Sequence, residues 1–225
     1  MRTWLWTCVV LMSCASRAGG ADEKKPAQTA PLVVEKRAPS AAATAFQTSY
    51  DEEAAGRVEA ALAALDPLPS PARESYVAEL RRGWLLSKLG KHAESAAAYA
   101  RATATEPASV EPRLGALVPL SALRRWTDVE TISRQVLERD PSSYTASLRL
   151  AFALYSLGRY PEAETQYRRL SSLYPSDVDV RSGVGWSLLK MGKTADAAKA
   201  FEGALDIAPK HALSSDGLRA ARSTK

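Results

Sequence analysis

Side chains that commonly carry out chemistry are few in this sequence of 225 residues. The two histidines, His92 and His211, stand far apart, and the two cysteines, Cys8 and Cys14, both lie near the start. No group of His, Cys and Asp residues has the spacing of metal ligands, so the sequence predicts no metal site.

Motifs typical of catalysis are also lacking. The run Gly183-Val184-Gly185 has no third glycine of a phosphate-binding loop and lies within a helical pattern. No serine has the flanking glycines of a nucleophile elbow. Acidic residues are numerous, but a pair of acids on a helix usually belongs to a solvated face. These features predict a protein that is not an enzyme and uses no cofactor.

Residues 1–21 have the pattern of a secretory signal peptide. Arg2 supplies an early positive charge, a short apolar stretch extends from Trp4 to Met12, and small residues follow. The apolar stretch is shorter than the roughly 18 residues that a membrane-spanning helix needs. We therefore expect an exported protein.

Two routes of leader processing are open. Residues 11–14, Leu-Met-Ser-Cys, resemble the bacterial lipobox, in which the cysteine is lipidated and becomes the new N-terminus. Acyl chains on Cys14 would anchor the protein to a membrane, and Ala15 next to it favours the outer membrane. In the other route, a peptidase cuts after Ala18 or Ala21 and leaves a chain without cysteine. We favour the first route, which gives a periplasmic lipoprotein anchored in the outer membrane.

Residues 22–45 have a composition typical of disordered linkers. Pro26, Pro31 and Pro39 stand among Ala, Thr, Ser, Glu and Lys, and large apolar residues cluster only at 32–34. Such a linker would hold the folded part of the chain away from the membrane. The net charge of the whole chain is a mild +5, and an exported protein meets little nucleic acid, so nucleic acid is not expected as a partner.

A period of 34 residues organises the rest of the chain. Five columns of residues keep this step, two of them with one interruption. The columns are Pro107, Pro141, Pro175 and Pro209; Leu89, Leu123, Leu157 and Met191; Leu86, Leu120, Leu154 and Leu188; Gly90, Gly158 and Gly192, interrupted by Arg124; and Tyr99, Tyr167 and Phe201, interrupted by Ser133. Because independent columns agree on one step, the sequence predicts an internal repeat.

Each repeat has the pattern of two helices. In the last one, apolar spacing predicts a helix over Val180–Met191, and Gly192 ends it by allowing a left-handed turn. A second helix is predicted from Thr194 to Ile207, where Pro209 then stops the hydrogen-bond ladder. Small residues would let the paired helices approach closely: Gly83, Ala151 and Gly185 on the first helix, and Ala163 and Ala197 on the second. The large residues Tyr99, Tyr167 and Phe201 would then fill the gap toward the next pair.

This pattern resembles the tetratricopeptide repeat (TPR) family. The match is most complete in Leu150-Ala151…Gly158-Arg159-Tyr160…Ala163…Tyr167…Pro175. The resemblance implies an all-α fold, an α-solenoid in which antiparallel helix pairs stack into a right-handed superhelix with a concave inner face.

The resemblance divides residues 76–209 into four TPR-like repeats, numbered 76–109, 110–143, 144–177 and 178–211. The second repeat is degenerate, because Arg124, Leu117 and Ser133 replace the turn glycine, the small residue and the aromatic residue. Its Pro119 lies in mid-helix and should kink or break that helix.

The repeats are flanked by two less regular segments. Residues 46–75 predict a degenerate half repeat, with one helix from Tyr50 to Leu65 that is slightly out of phase with the others. Residues 210–225 predict a capping helix, from His211 to Arg222, and a tail.

In TPR proteins the first helix of each pair lines the concave face. The resemblance assigns to this face Arg81, Trp84, Ser87 and Lys88; Leu114, Val118 and Ser121; Leu148, Arg149, Phe152 and Tyr155; and Ser182, Trp186, Leu189 and Lys190. From these sets we predict a partner-binding groove with apolar anchors and basic rims. It comprises Arg81, Trp84, Lys88, Val118, Arg149, Phe152, Tyr155, Trp186, Leu189 and Lys190. The alternative is that the aromatic residues only pack between neighbouring repeats.

The leading functional hypothesis is an exported TPR adaptor or scaffold that binds a peptide or helix of other envelope proteins. By resemblance, such proteins assist the assembly of pilus secretins, outer-membrane complexes or motility machinery in bacteria. Two alternatives are a self-associating structural scaffold and a TPR protein that binds a small molecule or glycan. The chain has no asparagine, so the amide donors of a chaperone-type carboxylate clamp are missing.

Overall fold

The computed structural model describes residues 40–223 of the chain. The expected leader, Cys14 and most of the expected linker therefore lie outside the described residues. The sequence predicts a linker as far as residue 45, but residues 41–45 belong to a helix. Ser40 caps this helix, because its side-chain oxygen accepts a hydrogen bond of 3.1 Å from the backbone N–H of Ala43.

Residues 40–223 form eleven α-helices and contain no β-strand. The helices are α1 (Ala41–Ala54), α2 (Val58–Ala63), α3 (Tyr76–Lys88), α4 (His92–Thr105), α5 (Glu111–Ala122), α6 (Trp126–Arg139), α7 (Tyr144–Ser156), α8 (Tyr160–Leu173), α9 (Val178–Lys190), α10 (Thr194–Leu205) and α11 (Ala212–Ser223). Successive helices pack as pairs, and α11 packs against α9 and α10. The predicted all-α solenoid of stacked helix pairs is confirmed for this part of the chain.

Each helix pair turns at a residue in the left-handed conformation. The φ angle is +77° at Gly56, +72° at Gly90, +78° at Gly158 and +74° at Gly192, where the lack of a Cβ atom removes the steric cost. Arg124 holds this position in the degenerate repeat with a φ angle of 56°. The turn therefore keeps its place in every pair, with or without glycine.

Gly56 changes the interpretation of the N-terminal region. It lies 34 residues before Gly90 and separates α1 from α2, so the single helix expected from Tyr50 to Leu65 does not form. A left-handed residue cannot continue a right-handed helix, which is why the chain turns back here. Helices α1 and α2 are thus a fifth helix pair, in phase with the four predicted repeats.

Large aromatic rings lie between the first helices of successive pairs. The ring of Tyr99 lies against both Gly83 and Gly115, and a Cβ atom added to Gly115 would be 2.4 Å from that ring. The ring of Phe201 lies in the same way against Gly185 and Gly217, where an added Cβ atom would be 2.6 Å and 2.3 Å away. The close approach of ring and backbone explains why small residues, mostly glycine, flank the aromatic residue of the repeat.

The degenerate repeat fills the same space between its helices with side chains of different sizes. Ser133 replaces the aromatic residue and is fully buried, while Leu117 and Arg149 stand at the two flanking positions that are small around Tyr99, Tyr167 and Phe201. Leu117 and Pro119 are both fully buried. Helix α5 runs through Pro119 from Glu111 to Ala122, so the predicted break does not occur. A proline removes one hydrogen bond, and here the packing around a buried ring outweighs that loss.

Candidate protein-binding groove

The first helices of the pairs lie side by side, from α3 through α5 and α7 to α9, and α11 continues the row. Large apolar side chains are exposed along this face at the 34-residue step. Trp84 is 49% exposed, Val118 48% and Phe152 42%, whereas Trp186 is partly buried. An exposed apolar row of this kind is typical of a surface that another molecule covers.

A large groove on this face lies between α7, α9 and α11 and has a volume of about 550 Å³. We call it the C-terminal groove. Its lining residues are Leu148, Arg149, Phe152, Tyr155, Tyr167, Asp179, Gly183, Trp186 and Leu213. Most of this lining is apolar, so the groove would gain free energy by excluding water from a bound apolar segment.

Neighbouring rings hold the aromatic residues of the C-terminal groove in place. The ring of Phe152 meets the ring of Trp126 edge-on, with 5.4 Å between centroids. Trp186 meets Phe201 in the same geometry, also at 5.4 Å. Edge-on pairs of this kind stabilise a fixed ring orientation. The groove therefore presents rigid anchors, which lose little conformational entropy on binding.

Two charged residues line the C-terminal groove. Arg149 is partly buried, and among residues 40–223 its side chain has no hydrogen-bond or ion-pair partner. Asp179 is exposed, and its Oδ1 atom lies 3.1 Å from Nε2 of His211. Burial raises the pKa of Tyr155, so its hydroxyl stays neutral near pH 7 and can donate a hydrogen bond.

A second groove, the N-terminal groove, lies between α1, α3 and α5 and has a volume of about 350 Å³. It is lined by Tyr50, Val77, Leu80, Arg81, Trp84, Tyr99, Glu111 and Gly115. Here the basic residues already have a partner, because Arg81, Trp84 and Lys88 all donate hydrogen bonds to Glu53 of α1. The donor–acceptor distance is 2.6 Å from Trp84 Nε1 and 3.0 Å from Lys88 Nζ.

The carboxylate of Glu53 is strongly held in its charged form. Burial alone would raise its pKa, but hydrogen bonds from Trp84, Lys88 and Arg81 outweigh burial and lower the pKa to about 2. Arg81 is only 6% exposed and also donates to Ser49 Oγ at 3.1 Å. Arg81 thus joins α1 to α3 and does not form an open rim of the groove as predicted.

Models of the tetratricopeptide repeat match residues 120–185 and 180–211. Residues 120–211 therefore contain tetratricopeptide repeats. The two matches include both of the last predicted TPR units, 144–177 and 178–211, and residues 120–143 of the degenerate one. A comparison with curated protein sequences finds no match.

Several solved structures are similar to this TPR fold. MamA from Desulfovibrio magneticus RS-1 superposes with a TM-score of 0.72 at 14% identity, covering 77% of this chain and 98% of the MamA chain. YrrB, described as a TPR protein with an unusual peptide-binding site, gives 0.71 at 16% identity, covering 78% and 90%. MamA of strain MSR-1 gives 0.67 at 20% identity, covering 76% and 98%. At these identities the likeness shows the fold alone.

The structure divides the ten residues of the predicted TPR groove among several places. Arg149, Phe152, Tyr155 and Trp186 come together in the C-terminal groove. Arg81 and Trp84 line the N-terminal groove, and Lys88 pairs with Glu53 beside it. Val118 and Lys190 are exposed on the same helices but line neither groove, and Leu189 packs against the core of the last repeats.

Several lining or contact residues were not anticipated from the sequence, and Glu53, Leu213 and Asp179 are examples. Glu53 and Leu213 lie on helices α1 and α11, outside the four repeats from which the concave columns were taken. Asp179 lies in the first turn of α9, and its equivalent one repeat earlier is Thr145. This position of the repeat was not assigned to the concave face from the sequence. Gly56 is the sequence signal that could have pointed to Glu53, because this glycine extends the 34-residue spacing of the turns to α1.

Within residues 40–223, no three His, Cys, Asp or Glu side chains are grouped closely enough to hold a metal ion. In the same part of the chain, no helix combines the length and the apolar character that crossing a membrane requires.

Proposed function

We propose that this chain is a TPR adaptor whose C-terminal groove binds a segment of a partner protein. The observation that carries the proposal is the groove itself. It combines about 550 Å³ of mostly apolar space with rigid aromatic anchors and an arginine, Arg149, that has no partner among residues 40–223. Aromatic and arginine side chains are enriched among the residues that dominate interface energies. The likeness to YrrB, which is described as having a peptide-binding site, supports the same function.

Phe152 contributes much of the expected binding energy. A phenylalanine side chain of about 200 Å² that is 42% exposed offers roughly 80 Å² of apolar surface to a partner. At about 25 cal/mol per Å², covering it contributes about 2 kcal/mol, which corresponds to about thirtyfold in affinity.

The second part of the proposal concerns location. The leader pattern of residues 1–21 and the lipobox-like residues 11–14 support export to the periplasm and lipid anchoring through Cys14. We place the adaptor in the assembly of a cell-envelope complex, where a linker after Cys14 would give the TPR domain freedom to reach its partner. Mass spectrometry of the mature N-terminus tests this part. An unmodified chain that keeps residues 1–21 would contradict it.

The groove is tested by a pair of matched variants. Phe152→Asp places a charge in the C-terminal groove, whereas Leu173→Asp places one on α8, where Leu173 is 62% exposed outside that groove. Each variant is used as bait for proteins of a cell-envelope extract, and captured proteins are quantified by mass spectrometry. We expect a partner to be retained by the wild type and Leu173→Asp and reduced about thirtyfold with Phe152→Asp.

Circular dichroism of each bait shows whether it is folded. Equal capture by all three folded proteins would contradict binding through the C-terminal groove.

A further inference from the structure

The internal repeat places one arginine–aromatic pair at two equivalent sites. Arg149 and Phe152 on α7 lie two periods of 34 residues beyond Arg81 and Trp84 on α3. Both pairs lie on the first helix of their repeat, and each lines a groove on the same face. The N-terminal site therefore shows what kind of group such a pair binds in this protein.

At the N-terminal site these groups come from α1, the neighbouring helix of the chain, which forms one wall of the groove. Helix α1 presents Ser49, Tyr50 and Glu53 on one face. Glu53 accepts hydrogen bonds from the side chains of Arg81 and Trp84, and Ser49 accepts two more from Arg81, of 3.1 and 2.9 Å. The guanidinium carbon of Arg81 lies 3.9 Å from the centroid of the Tyr50 ring. The carboxylate of Glu53, the ring of Tyr50 and the two oxygens of Ser49 thus together satisfy this arginine.

At the C-terminal site the corresponding helix of the chain lacks these groups. Two periods beyond Ser49, Tyr50 and Glu53 the residues of α5 are Leu117, Val118 and Ser121. Ser121 donates its own hydroxyl to the carbonyl oxygen of Leu117 at 2.6 Å. Since α5 offers no carboxylate here, Arg149 stays without a partner among residues 40–223. A partly buried guanidinium without a counter-charge favours a ligand that supplies one.

We propose that Arg149 selects, as the partner segment, an amphipathic helix of another protein that carries an aromatic-x-x-Glu motif like that of Tyr50 and Glu53. The inference rests on the adaptor function proposed above and names its partner class. The partner's glutamate pairs with Arg149, and its apolar face covers Phe152 and Trp186. Asp179, the other charged residue of the groove lining, repels a second carboxylate and so limits where the acidic residue can lie.

A synthetic copy of α1 is the probe for this proposal. The peptide spans residues 40–57 and is stapled between positions 43 and 47, which are exposed in α1, because a free helix of this length is marginal in water. A second peptide carries Glu53→Gln. Affinities of both for the purified chain are measured by fluorescence anisotropy at low and moderate salt.

We expect the glutamate peptide to bind about fivefold more tightly than the glutamine peptide, with a smaller ratio at higher salt. The variant Arg149→Gln should lose this preference. The variant Arg169→Gln should keep it, because Arg169 lies on α8 outside the C-terminal groove. A thermal melt of each variant controls for folding.

Three results would overturn the selection by Arg149. The first is equal affinity of the wild type for the two peptides, or no binding of either. The second is a preference that survives in Arg149→Gln. The third is a preference lost in Lys88→Gln. Among the described residues Lys88 bonds to Glu53 at the N-terminal site, so its effect would show that the peptide displaces α1. Equal binding of both peptides that Phe152→Asp abolishes would overturn the charge selection while leaving the groove function intact.

Discussion

The contact of Glu53 with α3 leads to a quantitative prediction for the variant Glu53→Gln. This side chain is 16% exposed and receives hydrogen bonds from Arg81, Trp84 and Lys88, which lower its pKa from 4.5 to about 2. A pKa change of that size corresponds to about 3 kcal/mol of preference for the charged form in the folded protein. After solvent screening of the partly exposed Lys88, we expect the variant to lose about 2 kcal/mol of the free energy of unfolding at pH 7.

The same contact predicts how that loss depends on pH. Because the folded-state pKa of Glu53 is lowered, its stabilising effect is complete above pH 4.5 and declines as the pH falls from 4.5 towards 2. The difference between wild type and Glu53→Gln should therefore shrink over this range. Other acidic groups with a lowered pKa, such as Glu130, are present in both proteins and cancel in the difference.

Urea unfolding followed by tryptophan fluorescence measures this difference at pH 7 and at pH 3. Trp84 reports directly on the site, because its indole N–H bonds to Glu53. Glu138→Gln is the matched control, since Glu138 is exposed on α6. A loss below about 0.5 kcal/mol at pH 7, or a loss that is the same at pH 3, would refute the ion-pair reasoning.

Three further predictions concern packing and the backbone. Gly115→Ala should cost about 1–3 kcal/mol of unfolding free energy, because the new methyl group would overlap the ring of Tyr99. Gly203→Ala is the control, since a methyl group has space there and the change should be neutral or stabilising. Urea unfolding of both variants checks this, and equal effects would contradict the close packing. Ser133→Ala should stabilise the protein by about 1 kcal/mol, since its buried hydroxyl has no hydrogen-bond partner among the described residues, and a lowered melting temperature would speak against this. Arg124→Gly should raise the melting temperature by relieving a φ angle of 56°, by about 1 kcal/mol at most, and an unchanged or lower value would show that the turn carries no strain.

The repeat architecture was predictable from local sequence signals. Proline and glycine act on the backbone at their own positions, so their 34-residue spacing marks helix ends without knowledge of distant contacts. The same reasoning failed at Pro119, where burial in the stack keeps α5 continuous. It also failed at Gly56, which was not recognised as the turn of a further helix pair. The residues around Gly56 do not continue the apolar columns of the repeats, so the 34-residue step was not apparent there.

The residues of the concave face could be predicted as a column, but their environments could not. Arg81 and Arg149 have equivalent positions in their repeats, yet one is buried in an ion pair and the other has no partner among the described residues. The difference depends on whether the preceding first helix carries Glu53 or Ser121, which is a question of how neighbouring repeats pack.

The sequence by itself determined the helical period, the turn positions and the types of side chain that face inwards, since all three follow from short-range backbone geometry and from periodicity. Only the tertiary structure decided which inward-facing residues form an open groove. Helix α11 closes one end of the C-terminal groove through Leu213, and helix α1 neutralises the basic residues of the N-terminal site through Glu53. Both effects arise between helices of different repeats, and electrostatic and packing free energies depend on distances in space that sequence spacing does not encode.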